Sequence, residues 1–120
     1  MSEHDEQVAL FQWAGYQLGA CPELALMFAI PNGGDRHPAV AGKLRDEGVK
    51  PGVPDICLPV PRGKYHGMFL EMKFGKNKPK PDQFKWMGAL RDQGYYVRLA
   101  WDWQTAAEFI TRYLEDRNET

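Results

Sequence analysis

Cysteine and histidine are scarce in this chain. Two cysteines (Cys21, Cys57) and three histidines (His4, His37, His66) are scattered over 120 residues, without the short spacings that zinc sites use. That argues against a zinc centre and a disulfide framework, and both cysteines read as reduced core residues of an intracellular protein. Long apolar runs are missing too: none approaches the roughly eighteen residues of a membrane span. The segment MSEHDEQ is acidic and lacks an apolar stretch, so it does not read as a secretion signal. The formal net charge is only −1, which disfavours a protein that coats nucleic acid wholesale. An apolar content of 43%, with 12% aromatic residues, excludes disorder by composition and supports one folded domain over residues 1–120.

The distribution of charge is more informative than its sum. Five lysines (Lys73, Lys76, Lys78, Lys80, Lys85) face a single acid, Asp82, between positions 73 and 85. Arg36, Lys43, Arg45 and Lys50 form a second basic group, and acids collect at the two ends, Glu3 to Glu6 and Glu115 to Glu119. A locally basic middle is a solvated surface or a phosphate contact, and neighbouring carboxylates favour the second reading.

Apolar residues recur at helical spacing over 4–18, with Val8, Leu10, Phe11, Trp13, Ala14, Tyr16 and Leu18 on a broad face and Ser2 as N-cap. Glu6 on this helix is either a first-turn acid favoured by the helix dipole or a carboxylate delivered to a site beyond the helix. Leu26 to Ile30 reads as a strand ended by Pro31-Asn32-Gly33-Gly34. The polar loop 32–38 offers Arg36 and His37 as phosphate contacts. A short helix, Pro38 to Glu47, has Val40, Ala41 and Leu44 inward and stops at Gly48. Strands follow at Ile56–Val60 and Met68–Lys73, then a helix from Pro81 to about Gln93, a strand Tyr95–Trp101, and a last helix from Trp103 capped by Asp102. The two central strands are joined by a turn and must pair antiparallel, whereas the others need crossovers. The expected fold is α/β, a mixed β-sheet flanked by helices.

The chain is organised around Pro54–Lys73, PDICLPVPRGKYHGMFLEMK. Side chains alternate along a strand, so Phe69, Glu71 and Lys73 share one face, and two opposite charges sit on an otherwise apolar strand. Such burial is costly unless a ligand uses it. A hairpin centred near Lys64 brings Asp55 close to Phe74 and within reach of the ion that Glu71 holds. Two carboxylates suit Mg²⁺ or Mn²⁺ rather than zinc, and Lys73 beside them is placed to orient water or offset charge on a phosphoryl group. Gln83, in the first turn of its helix, is either a helix-start glutamine or a group facing the end of the Glu71 strand.

Pro31-Asn32-Gly33-Gly34, Lys50-Pro51-Gly52-Val53-Pro54-Asp55, Phe69-Leu70-Glu71-Met72-Lys73 and Gln83 together resemble the stand-alone VRR-NUC domains of phages and bacteria, within the PD-(D/E)XK nuclease superfamily. The resemblance covers nearly the whole chain. It implies a restriction-endonuclease-like core and a cytoplasmic, metal-dependent DNA endonuclease. Members that stand alone look like Holliday-junction resolvases acting as homodimers on branched DNA. It further implies Asp55, Glu71 and the Met72 backbone carbonyl as ligands of Mg²⁺ or Mn²⁺, Lys73 as the catalytic lysine and Gln83 as its support. The family's acidic or amide residue on the first helix falls on Glu6, with Gln7 as the neighbouring alternative. Arg36, His37, Lys76, Lys78 and Lys80 are the expected DNA contacts. Lys80 departs from the Ser/Thr that more usually caps the helix at Pro81. A sequence-specific restriction-type nuclease and a non-catalytic DNA-binding module are the competing readings.

Overall fold

A computed structural model of the chain describes residues 1–31 and 37–116. Asn32 to Arg36 lie outside the described residues, and with them the expected contact from Arg36 and most of the Pro31–Gly34 motif. The elements are α1 (Glu3–Tyr16), a short 3₁₀ turn (Pro22–Leu26), β1 (Phe28–Ala29), α2 (Pro38–Asp46), β2 (Ile56–Leu58), β3 (Met68–Met72), α3 (Pro81–Asp92), β4 (Tyr96–Ala100) and α4 (Trp103–Leu114). Among the described residues, no helix is long and apolar enough to cross a membrane.

The four strands lie in sequence order in one sheet. β1 and β2 pair antiparallel, as do β2 and β3, whereas β3 and β4 run parallel with α3 as the crossover. This is the mixed, helix-flanked α/β sheet expected. β2 stops at Leu58 instead of Val60 because Pro59 and Pro61 have no N–H for the ladder. β1 is shorter than the Leu26–Ile30 strand expected, since Pro22 starts a 3₁₀ turn that takes up Leu24 to Leu26.

β3 is buried on both faces. Met68, Leu70 and Met72 join Ile56, Leu58, Ala106, Ile110 and Tyr113 in the principal core under α1 and α4. Burying each such aliphatic side chain contributes about 1.5–3 kcal/mol. Phe69, Glu71 and Lys73 alternate to the opposite face, the one α3 covers. α1 turns a narrower stripe inward than its apolar pattern predicts. Glu6, Leu10 and Ala14, spaced at i, i+4 and i+8, are its buried residues, whereas Tyr16 is 88% exposed. α2 buries none of its residues, and Val40 on its expected inner face is 51% exposed.

Candidate active site

Asp55 and Glu71 meet because of register. Ile56 pairs with Leu70 and Cys57 with Phe69, and extending that ladder by one residue sets Asp55 opposite Glu71. The hairpin is therefore displaced from the register that set Asp55 close to Phe74, and the pair is brought closer than that register implied. Asp55 Oδ2 accepts a hydrogen bond from the Met72 amide at 2.8 Å, and the Asp55 carbonyl accepts from Ile30 N at 2.6 Å. The carboxylate at the mouth of β2 is thus tied to β3, and its backbone to the segment that follows β1.

Gly52 sets the approach to Asp55. Its φ is +92°, and a Cβ there would lie 2.8 Å from the backbone of Asp82. Only glycine accommodates both constraints without strain. The 51–54 loop therefore rests directly on the first turn of α3, which carries Gln83.

Glu71 is 1% exposed and Lys73 6%. Lys73 Nζ lies 3.4 Å from Glu71 Oε2, and Gln83 Nε2 donates to the same oxygen at 2.9 Å. Glu71 Oε1, equally buried, has no partner among the described residues. A buried carboxylate oxygen left unsatisfied is costly, and a bound cation would remove that cost. Burial, then the Asp55 charge, push the Glu71 carboxyl up to about 8 against the pull of Lys73. Burial likewise raises Asp55, against the Met72 amide that lowers it. Both carboxyls thus favour a proton until a positive charge joins them. Asp55 and Glu71 are the side chains able to hold a hard cation; among the described residues no cluster of three or more His, Cys, Asp or Glu side chains has metal-binding geometry.

Gln83 fulfils both of its readings at once. Its Oε1 accepts from Lys80 N at 2.8 Å, the glutamine half of a capping box, while its Nε2 holds Glu71. α3 therefore starts securely despite the lysine at its cap position. Lys76, Lys78 and Lys80 are exposed on the loop between Lys73 and α3; its first end touches Glu71 through Lys73, and its last is bonded to Gln83, which holds Glu71. Trp101 Nε1 donates to the Asn77 carbonyl at 2.8 Å and anchors its middle.

Two expected residues are engaged elsewhere. Glu6 Oε1 accepts from Trp103 N at 2.9 Å, so its buried carboxylate closes the N-terminus of α4, where a helix dipole favours negative charge. The α1 acid whose charge raises both Asp55 and Glu71 is Glu3, one turn earlier. The family resemblance pointed to Glu6 on the first helix, and Glu3 carried no separate signal beyond its acidity. His37 Nδ1 accepts from Ala39 N at 3.1 Å and caps α2.

The fold agrees with comparisons to known proteins. A profile of the VRR-NUC domain matches residues 3–101. A solved structure described as a VRR_NUC domain protein superposes with a TM-score of 0.82 at 26% identity, over 96% of this chain and 89% of that one. A search of curated proteins finds no match. The profile spans Asp55, Glu71, Lys73 and Gln83 together, and the chain belongs to the VRR-NUC family of nuclease domains.

Proposed function

We propose that this domain is a metal-dependent endodeoxyribonuclease selective for branched DNA, a Holliday-junction resolvase-like enzyme that hydrolyses phosphodiester bonds. The observation that carries the metal requirement is Glu71 Oε1, buried and without a partner beside a second carboxylate. Asp55 and Glu71, with the Met72 backbone carbonyl, form an all-oxygen donor set suited to Mg²⁺ or Mn²⁺. When bound, such an ion supplies positive charge beside the phosphate and makes water acidic enough to lose a proton near neutral pH.

The chain's own groups do the rest. Lys73, held 3.4 Å from Glu71, orients the attacking water and offsets the charge that grows on the phosphoryl oxygens. Gln83 fixes the Glu71 carboxylate through Oε2, as an outer partner of a ligand does. Lys76, Lys78 and Lys80 contact flanking phosphates as point charges. Cutting a four-way junction takes two symmetry-related incisions, which favours a two-fold homodimer.

The test is cleavage of four-way junction, flap, splayed-arm and linear duplex substrates of shared sequence with Mg²⁺ or Mn²⁺. Preferential cutting of the branched forms is expected. Equal cutting of the duplex at a fixed sequence would make it a restriction-type enzyme.

A further inference from the structure

We propose that the pocket at the opposite end of α3 from the carboxylate pair binds a backbone phosphate of the same DNA, away from the bond that is cut. This rests on the nuclease reading above. The pocket, about 400 Å³, is lined by Lys64, Tyr65, Arg91, Asp92, Tyr95 and Arg98 among others.

Its central feature is a pair of like charges gathered on one acceptor. Arg91 donates to the Val97 carbonyl at 3.0 Å, and Arg98 donates to the same oxygen at 3.5 Å. Two guanidinium groups sharing one carbonyl are neighbours and repel each other. Among the described residues neither forms an ion pair with a carboxylate, and nor does Lys64. Asp92 is the lone acid among three cations in the lining.

Arg98 is also held rigidly. Its Nε donates to the Tyr96 hydroxyl at 3.1 Å, and its guanidinium lies 4.4 Å from the Tyr96 ring centre and 5.7 Å from that of Phe109. Fixed guanidinium forks lose little freedom when they bind phosphate, and that geometry suits them better than lysine. A phosphate seated between Arg91 and Arg98 relieves their repulsion.

α3 sets the distance. Gln83 holds Glu71 at its first turn and Arg91 reaches Val97 from its last, eight residues on. At 1.5 Å per residue that is about 12 Å along the helix. A duplex carries one phosphate for about every 1.7 Å of its axis, so one DNA can offer phosphates to both sites at that separation.

The test uses the full chain with Lys73→Ala, without metal, on a fluorescent 20-base-pair duplex across a salt series. Adding Arg91→Gln and Arg98→Gln should lower the slope of log affinity against log salt by about 0.9, the value for one phosphate no longer neutralised. Binding at 0.1 M salt should weaken about tenfold or more. Glutamine still donates to the Val97 carbonyl, so unchanged slope and affinity would mean the arginines only cover the open edge of β4, and would overturn the proposal. Because Arg98 stacks on Tyr96, the exposed pair Lys64→Gln and Arg91→Gln is the second variant. It should lower the slope in the same direction with an unchanged melting temperature, and no change there also counts against the site.

Titration with inorganic phosphate and with a deoxynucleoside monophosphate separates the sources. Weak, millimolar competition is expected. Micromolar binding of the mononucleotide, lost in the Arg91→Gln, Arg98→Gln protein, would assign the pocket to a free nucleotide instead. Cleavage by the Lys73-containing protein is scored separately. Failure of wild type to cut any DNA sinks the nuclease reading, whereas normal cutting with an unchanged salt slope sinks only this pocket.

Discussion

Gln83 Nε2 lies 2.9 Å from Glu71 Oε2, and the same side chain accepts from Lys80 N at 2.8 Å. One residue both starts α3 and fixes a carboxylate on β3, so helix stability and site geometry are coupled. Gln83→Ala removes both bonds. Loss of an outer partner of this kind is expected to lower activity by about 10- to 100-fold. Loss of the cap should cost about 1 kcal/mol. Steady-state cleavage and thermal melts read the two effects separately.

The raised Glu71 pKa makes the metal-free protein pH-sensitive. The folded state holds a proton on Glu71 up to about pH 8, whereas an unfolded glutamic acid releases it near 4.5. Between those values the folded form binds more protons, so its stability is fullest below the unfolded pKa and declines as pH rises through about 8. Melting in EDTA at pH 5.5 and pH 9 should show that decline. Glu71→Gln should flatten it, and a slope unchanged by the substitution would assign the pH dependence to another group.

Gly52 and Gly48 separate two kinds of glycine. Both have positive φ, +92° and +99°, yet a Cβ at Gly52 meets the Asp82 backbone at 2.8 Å while one at Gly48 meets nothing within 4 Å. Gly48→Ala should cost only the conformational strain, on the order of 1 kcal/mol. Gly52→Ala must also move the 51–54 loop off α3. It should lose more stability and, because it displaces Asp55 relative to Gln83, a larger share of activity. Paired denaturation curves and cleavage rates check this.

Glu6 and Glu3 should behave differently. Glu6→Ala removes the acceptor for Trp103 N, so its main effect is a stability loss of about 1–2 kcal/mol in chemical denaturation. Glu3→Gln removes a negative charge that bears on Asp55 and Glu71. It should raise the Mn²⁺ concentration needed for half-maximal cleavage while leaving the melting temperature nearly unchanged. The reverse pattern would return the α1 assignment to Glu6.

Much of this was legible because strand parity is strict. Alternation alone put Glu71 and Lys73 on one face of β3, and the turn between β2 and β3 dictated their antiparallel pairing. Helix ends were equally readable, since Ser2 and Asp102 cap α1 and α4 through their side chains. What failed was long-range. The partner of Glu6 lies 97 positions away, and helical periodicity cannot tell a buried acid that closes a distant helix from one that serves a site. The hairpin register depended on where Pro59 and Pro61 halt β2. α2 has an amphipathic pattern that nothing in the described fold buries.

The central claim is that Lys73, beside a cation-seeking carboxylate pair, carries out DNA hydrolysis. The most direct measurement is single-turnover cleavage of a four-way junction with Mn²⁺ by wild type and Lys73→Ala, with junction affinity measured in parallel without metal. The account predicts a fall in cleavage of about 10²- to 10³-fold with junction binding retained. Cleavage by Lys73→Ala at the wild-type rate would contradict it.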